Sequence, residues 1–382
     1  MKRIVVCCDG TWNSTDDNSK DTNVALLARA IHATQGTDLM QIVLYVRGVG
    51  TAGLAIEKLF EGAVGFGVDD NIRSAYMFIA QNYVPGDDIF IFGFSRGAFT
   101  ARSLVGFIGA CGILYRQSLG SLPEAWEYYR GLPPHSPAAF MEKYTSKAHS
   151  DVTIKFLGVW DTVGALGIPG HLLATANEKR FAFHDTSASP IVKHACHALA
   201  IDEHRDTFFP TLWTGKQPEG SKIEQVWFAG AHADVGGGYI TRKLADIPLV
   251  WMATKAEASG LALDWSCLPN AAVLDSKAPT HDSSEGLFAI SRFRPMLRVV
   301  ADKQFPVSPF ETLYAPHDEN GALLPTINQA VHRSAIERFG QMVAACSEDA
   351  SGACRVEKYE PRNLAAFWDA QKGALSGVAV AD

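Results

Sequence analysis

The stretch that most constrains this chain is the apolar run Ile89-Phe90-Ile91-Phe92, the turn Gly93-Phe94-Ser95-Arg96-Gly97 and the helix-like segment Ala98-Phe99-Thr100-Ala101-Arg102-Ser103-Leu104. A continuous apolar run, rather than an alternating one, is the pattern of a strand buried on both faces of a parallel sheet. A helix directly after it supplies the crossover that a parallel neighbour requires. Turning from strand to helix this sharply leaves almost no room for side chains beside Ser95, which explains the glycines at 93 and 97. The same turn holds Ser95 in a strained backbone conformation and lifts its Oγ to the top of the sheet, above the start of the next helix. Ser95 is therefore the first candidate nucleophile. In a chain with 33 glycines the bare G-x-S-x-G pattern arises easily, so its weight comes from the strand before it and the helix after it.

The rest of the chain repeats this alternation. Apolar runs bounded by turn residues predict strands at 3–8, 41–46, 88–92, 152–159 and 224–229. Helical patterns lie at 22–34, 69–82, 98–111, 191–201, 245–258 and 327–339. The expected fold class is α/β: a mainly parallel sheet with helices on both faces, and insertions near 115–150 and 164–190 over the face that carries the strand ends. Trp126, Tyr128, Tyr129 and Phe140 in the first insertion, with Leu166, Leu172, Leu173, Phe181 and Phe183 in the second, would form a lid or acyl-binding wall there, or else pack each insertion onto its own domain. One catalytic-type domain is expected over 1–340, followed by an Ala/Gly-rich tail over 341–382. A hydrophobic content of 47% is enough for a full core.

Composition also excludes partners. A net charge of −7 without a Lys/Arg cluster argues against nucleic acid. Seven cysteines, an odd number that includes Cys7-Cys8 inside an apolar run, predict reduced core thiols rather than a disulfide framework. No C-x-x-C spacing points to a metal, and no cofactor is expected. The first strand begins after one lysine, which leaves no room for a cleavable signal peptide. The apolar stretch 104–115 is broken by Gly106, Gly109 and Gly112 and is too short to span a bilayer. These features predict a protein that is cytoplasmic, or exported without a cleavable signal, with peripheral membrane contact left open and no oligomeric state specified.

In an open α/β sheet the reactive face lies outside the carboxyl ends of the strands. Asp9, Ser95, Asp161 and His232 each follow an apolar strand pattern, and the last three stand in the order Ser, Asp, His. A serine hydroxyl needs an imidazole to take its proton, and the imidazole needs a carboxylate to fix its tautomer and stabilise its charged form. Asp161 has the alternative reading of a turn or cap residue. His332 competes with His232, but it falls in a helical pattern, whereas His232 sits on a glycine-rich loop directly after a strand. Asp234 orients His232 or caps the next segment, and the glycines at 236–238 permit close approach or simple flexibility. Acyl transfer also needs oxyanion donors: the backbone N–H of Arg96, and a second from Gly10 or Thr11 on a loop held by Asp9.

Five segments then form an ordered set: Cys8-Asp9-Gly10-Thr11-Trp12-Asn13, Gly48-Val49-Gly50-Thr51, Gly93-Phe94-Ser95-Arg96-Gly97-Ala98, Gly158-Val159-Trp160-Asp161-Thr162-Val163-Gly164 and His232-Ala233-Asp234-Val235-Gly236-Gly237-Gly238-Tyr239. Together they resemble the α/β-hydrolase family typified by the catalytic domains of bacterial type VI secretion phospholipase effectors. The resemblance implies hydrolysis of carboxylic esters, with lipids the substrate in the effector branch. It places nucleophile, acid and base on Ser95, Asp161 and His232. Effectors of this family often carry a long additional region for membrane attachment, and no amphipathic stretch of that kind is read after the His232 loop.

Other chemistries fit less of the chain. Gly48-Val49-Gly50-Thr51-Ala52-Gly53 matches a dinucleotide fingerprint, but the acidic residues that follow, Asp69 and Asp70, begin a helix instead of ending a strand. Asp9-Gly10-Thr11 resembles the start of haloacid-dehalogenase-type phosphatases, yet Cys7 stands where their nucleophilic aspartate would be. A metal-dependent hydrolase using Asp9, Asp161, His232 and Asp234 is the main alternative, and it leaves the turn at Ser95 unexplained. A catalytically inactive binding module would keep the sheet and lose the chemistry.

Overall fold

The computed structural model describes residues 1–10, 21–34, 39–48, 64–131, 134–145, 147–164, 186–206, 208–283, 295–318, 320–347, 353–369 and 372–382. Its centre is an eight-stranded sheet made of β1 (Arg3–Cys8), β2 (Gln41–Val46), β3 (Asp88–Phe94), β4 (Ile154–Trp160), β5 (Val192–Ala200), β6 (Lys222–Phe228), β7 (Gln329–His332) and β8 (Ala379–Ala381). The spatial order is β8-β7-β6-β5-β4-β3-β1-β2, and every pairing in it is parallel. This is the α/β-hydrolase-like arrangement expected from the sequence.

Side-chain alternation along the strands sends two apolar sets to opposite faces. Ile4, Val6, Ile89, Ile91, Leu157 and Val159 meet helices α1 (Val64–Asn82) and α2 (Arg96–Cys111) on one face. On the other, Val5, Phe90, Phe92, Phe156 and Phe228 meet Asn23–Ala30 and Asp246–Ala258. A third cluster, including Trp227, Val331, Phe339, Val343 and Leu364, packs the C-terminal part of the chain onto the far end of the sheet. The register is nearly flush at the carboxyl ends, with Cys8 opposite Gly93, Phe94 opposite Trp160, and Ala200 opposite Phe228. That alignment brings the residues after β1, β3, β4, β5 and β6 to one edge.

Several expectations change. The segment 191–201, read as a helix from its alanines, is strand β5, because burial between β4 and β6 outweighs a weak helix preference. The helix expected over 327–339 divides into β7 and the shorter helix Arg333–Arg338. Among its described residues, the first insertion packs along α2. Its helices Leu122–Tyr129 and Pro137–Tyr144 pack against α2, where Trp126 and Tyr129 lie 5.3 Å from the Phe107 ring and the Cys111 thiol meets the Ala125 carbonyl. These aromatics join the core around the C-terminal half of α2, away from Ser95. Most of the second insertion, 165–185, and nearly all of 48–53 lie outside the described residues.

The stretch 341–382, read as a tail, contributes structure. Met342–Cys346 and Cys354–Lys358 form an antiparallel pair, and Ala379–Ala381 is the edge strand β8. Cys346 and Cys354 face each other in that pair and form a disulfide, so the expectation of seven reduced thiols holds only for Cys7, Cys8, Cys111, Cys196 and Cys267. An antiparallel register can align two cysteines that their separation alone does not pair. Among the described residues, no helix is long and apolar enough to cross a membrane.

Candidate active site

The turn after β3 is as tight as its glycines imply. Ser95 has φ 58° and ψ −124°. A Cβ on Gly93 would lie 2.5 Å from the Gly97 carbonyl oxygen, and one on Gly97 would lie 2.2 Å from that of Cys8. The Ser95 N–H donates to the Trp160 carbonyl at 3.1 Å, which ties the turn to the end of β4. Arg96 is the first residue of α2, and N–H groups of a first helical turn point out of the helix towards whatever sits at its end.

Asp161 follows β4 with φ 35°, and its N–H donates to the Ala198 carbonyl at 2.7 Å. Its carboxylate is fully buried and saturated with donors. Oδ1 accepts from the Ala200 N–H at 2.9 Å and from Arg298 Nη1 at 2.6 Å, while Oδ2 accepts from Arg298 Nη2 at 3.0 Å and meets His232 Nδ1 at 2.6 Å. Burial alone would raise its pKa, but the Arg298 guanidinium and then the His232 bond outweigh that and hold the carboxyl well below the usual range.

His232 begins a one-turn helix after β6. Its ring lies between Phe94 and Phe208, at 4.6 and 4.9 Å between centroids, and its Nε2 is 2.8 Å from Ser95 Oγ. Because an ionised carboxylate can only accept, Nδ1 carries the proton and Nε2 presents its lone pair to the serine hydroxyl. Burial depresses the imidazole pKa, Asp161 opposes that, and Arg205 and Glu203 act in opposite directions on the remainder. The net effect keeps the ring neutral above its lowered pKa. Ser95, His232 and Asp161 thus form one continuous hydrogen-bonded chain across three strand ends.

A profile of the type VI secretion system phospholipase effector Tle1-like catalytic domain matches residues 2–255. The chain belongs to this family. An uncharacterised protein of Saccharomyces cerevisiae is 31% identical over 235 residues, which are 56% of this chain and 33% of that protein. Among solved structures, an uncharacterised protein from Pseudomonas aeruginosa is 17% identical with a TM-score of 0.39, over 69% of this chain and 46% of that one. A Tle1 effector bound to the VgrG spike of the type 6 secretion system is 20% identical with a TM-score of 0.35, over 63% and 51%. The chain therefore spans about a third of the yeast relative and about half of the two solved chains.

In this Tle1-like chain the remaining candidates take structural places around the Ser95 chain. Asp9 holds its loop by accepting from the Gly10 N–H and the Thr22 hydroxyl, both at 2.7 Å, and from the Tyr45 hydroxyl. The Gly10 N–H is thereby engaged with Asp9, and Thr11 lies outside the described residues. Asp234 does not bond the His232 ring. It caps the one-turn helix through the Ala231 N–H at 3.0 Å and holds His281 through Nδ1 at 2.6 Å. The glycines after it serve close packing: a Cβ on Gly236 would fall 1.9 Å from the Phe94 ring, and one on Gly237, with φ 81°, would fall 2.7 Å from the Asn23 nitrogen. His332 caps Arg333–Arg338 and stacks on Phe228 at 4.5 Å, and burial lowers its pKa to about 4.

Nor do the four residues of the metal alternative gather. Asp161 and His232 bond to each other, while Asp9 and Asp234 are held by separate partners, and among the described residues they form no converging ligand group.

Sequence reasoning missed Arg298, Glu203 and Arg205. Arg298 is fully buried and also donates to the Ala200 and Phe208 carbonyls at 2.8 Å. Glu203, also fully buried, accepts from the His232 N–H at 3.2 Å and from Arg205 Nη2 at 2.7 Å. Burial pushes its carboxyl up, but Arg205 reverses this and takes it down to about 2. The one available signal was an arginine inside the apolar run Met296-Leu297-Arg298-Val299-Val300.

Proposed function

We propose that this chain is a serine hydrolase that cleaves carboxylic ester bonds of lipids, phospholipids included. The observation that carries the reading is the 2.8 Å contact between Ser95 Oγ and His232 Nε2, backed by the 2.6 Å contact between His232 Nδ1 and Asp161. Ser95 Oγ attacks the ester carbonyl as His232 Nε2 takes its proton, and Asp161 stabilises the imidazolium that forms. The oxyanion develops at the start of α2, where the Arg96 N–H is the proposed donor and Thr11 the proposed second one. Collapse breaks the ester C–O bond, His232 returns the proton to the leaving alcohol, and an acyl group remains on Ser95. Water then attacks that acyl group with His232 again as base, releasing the acid and restoring the serine. Arg298 holds Asp161 in place and keeps it ionised. The family description, which names a phospholipase effector, supports lipid as the ester class.

The test is labelling of the purified chain with a fluorophosphonate, peptide mapping of the adduct, and turnover of 4-nitrophenyl esters from acetyl to octanoyl beside phosphatidylcholine vesicles. The adduct is expected on Ser95 and absent from Ser95→Ala, with turnover retained after dialysis against EDTA at a temperature well below melting. An adduct on another serine, or activity lost to EDTA and restored by a divalent ion, overturns the mechanism. A flat or falling profile from acetyl to octanoyl, with intact vesicles, overturns lipid as substrate.

A further inference from the structure

At the end of the sheet opposite Ser95, three side chains that the hydrolytic mechanism does not use bring a ring nitrogen, a sulfur and a carboxylate oxygen to one place. His194 and Cys196 stand two residues apart on β5 and therefore share a face. On the neighbouring strand β6, Glu224 is directly opposite Cys196 in the register. His194 Nε2 lies 2.8 Å from Glu224 Oε1 and 3.3 Å from Cys196 Sγ, and Sγ lies 4.0 Å from Oε1. We propose that His194 Nε2, Cys196 Sγ and Glu224 Oε1 bind one zinc-class divalent cation, with water in the fourth position.

The hydrogen bonds around the imidazole support this. The Ser259 hydroxyl donates to the Lys255 carbonyl at 2.9 Å, so its oxygen is left to accept from His194 Nδ1 at 3.0 Å. With the proton on Nδ1, Nε2 turns a lone pair towards a carboxylate oxygen and a sulfur. Such a convergence is favourable only when a positive centre lies between the three atoms, either a proton or a cation. In a tetrahedral zinc site, bonds of about 2.0–2.3 Å set N···O near ~3.3 Å and the pairs that include sulfur near ~3.6 Å. The distances found here differ from those by about half an ångström or less, so a cation enters with small side-chain movements. Thiolate, imidazole and carboxylate together favour zinc over magnesium or calcium, which prefer oxygen ligands throughout.

The surroundings are those of a supported site. Ser259 fixes the imidazole through Nδ1, and Lys255 Nζ fixes the carboxylate through Oε2 at 2.9 Å, which leaves Oε1 for the ion. Lys222, 2.7 Å from Oε1, is the group displaced, and its side chain is 62% exposed, so it returns to water at little cost. Binding releases the Cys196 thiol proton to solvent. Along β5 the site lies about 13–20 Å from Ala200. Its role is accordingly to clamp β5 to β6 rather than to take part in ester chemistry.

The experiment uses the full chain carrying Cys267→Ser, which removes the one exposed thiol among the described residues, in metal-free buffer with cobalt(II) as the probe. One equivalent of cobalt is expected to give a thiolate-to-cobalt charge-transfer absorption in the near ultraviolet. Zinc should then displace it and raise the melting temperature. The absorption should be lost in Cys196→Ser, and the affinity should fall tenfold or more in Glu224→Gln and His194→Gln. Glu224 and His194 are partly exposed, so these two variants carry the test independently of how the buried Cys196→Ser substitution folds. A parent chain with no absorption and no zinc-dependent rise in melting temperature overturns the proposal and leaves a histidine–glutamate–lysine ion-pair network. Binding that persists unchanged in both Glu224→Gln and His194→Gln also overturns it.

Discussion

Asp161→Asn tests the proton arrangement of the site, because the neighbours of the carboxylate dictate which way the new amide must point. At the Oδ1 position stand two fixed donors, the Ala200 N–H at 2.9 Å and Arg298 Nη1 at 2.6 Å. The amide oxygen is drawn there, which turns the NH2 group towards the Oδ2 position, facing His232 Nδ1 at 2.6 Å and Arg298 Nη2 at 3.0 Å. A donor at that point forces Nδ1 to accept, so the ring proton moves to Nε2 and the lone pair facing Ser95 is lost. The wrong tautomer is expected to lower kcat by about 10⁴, or ~5.5 kcal/mol of transition-state stabilisation, with little change in KM. Arg298 also loses its counter-charge in the interior, a penalty of about 3–5 kcal/mol. For a chain of this length that corresponds to a fall in melting temperature of roughly 4–6 °C. Steady-state turnover of a 4-nitrophenyl ester, measured well below the melting point of the variant, reads the first effect, and a thermal melt reads the second. Turnover within tenfold of the parent, or a loss confined to KM, would refute the tautomer argument.

His232→Ala is expected to fall to the residual rate of Ser95→Ala, with the double variant scarcely worse because members of one unit are not additive, while His332→Ala keeps most activity; the reverse ranking in the same ester assay would transfer the base to His332. The pH dependence follows from two groups. His232 has its pKa lowered from 6.5 by burial, so kcat/KM should be flat at neutral pH and fall only as pH drops through a value below 6.5, and a midpoint above 6.5 contradicts the assignment. Glu203 is depressed from 4.5 to about 2, so the folded state binds fewer protons there than the unfolded chain. Its stabilisation is full above 4.5 and is lost as pH falls towards about 2, and Glu203→Gln should flatten that part of an acid-unfolding curve.

What the sequence discloses here is what local sterics and strand periodicity encode. The glycines at 93 and 97 are legible because the clashes they avoid arise within the turn and against the adjacent strand end. Ser95, Asp161 and His232 are legible because each follows an apolar run, and parallel register carries such run ends to one edge. Strand β5 is not legible, since Ala195, Ala198 and Ala200 favour a helix in isolation and only the flanking strands overrule them. Arg298 comes from 137 residues beyond Asp161, and no period links the two. The position of Gly10 after β1 is legible, whereas the direction of its N–H depends on the geometry of the Asp9 side chain beside it. The packing of Trp126 and Tyr129 depends on the small face of α2 at Gly106, where a Cβ would sit 3.2 Å from the Tyr129 hydroxyl, and that complementarity is three-dimensional from the outset.

The arginine that neutralises Asp161 lies beyond residue 255, where the family match ends, and so does strand β7, which pairs with β6 next to the His232 turn. On a ribosome working at about 5–20 residues per second, Arg298 follows His232 by roughly 3–13 s. During that interval a nascent chain already holds its serine, histidine and aspartate, but with an unbalanced charge beneath them and an unpaired strand edge beside them. The Asp161 carboxylate and the His232 turn therefore take their final setting only once the chain beyond the family match has folded onto the sheet.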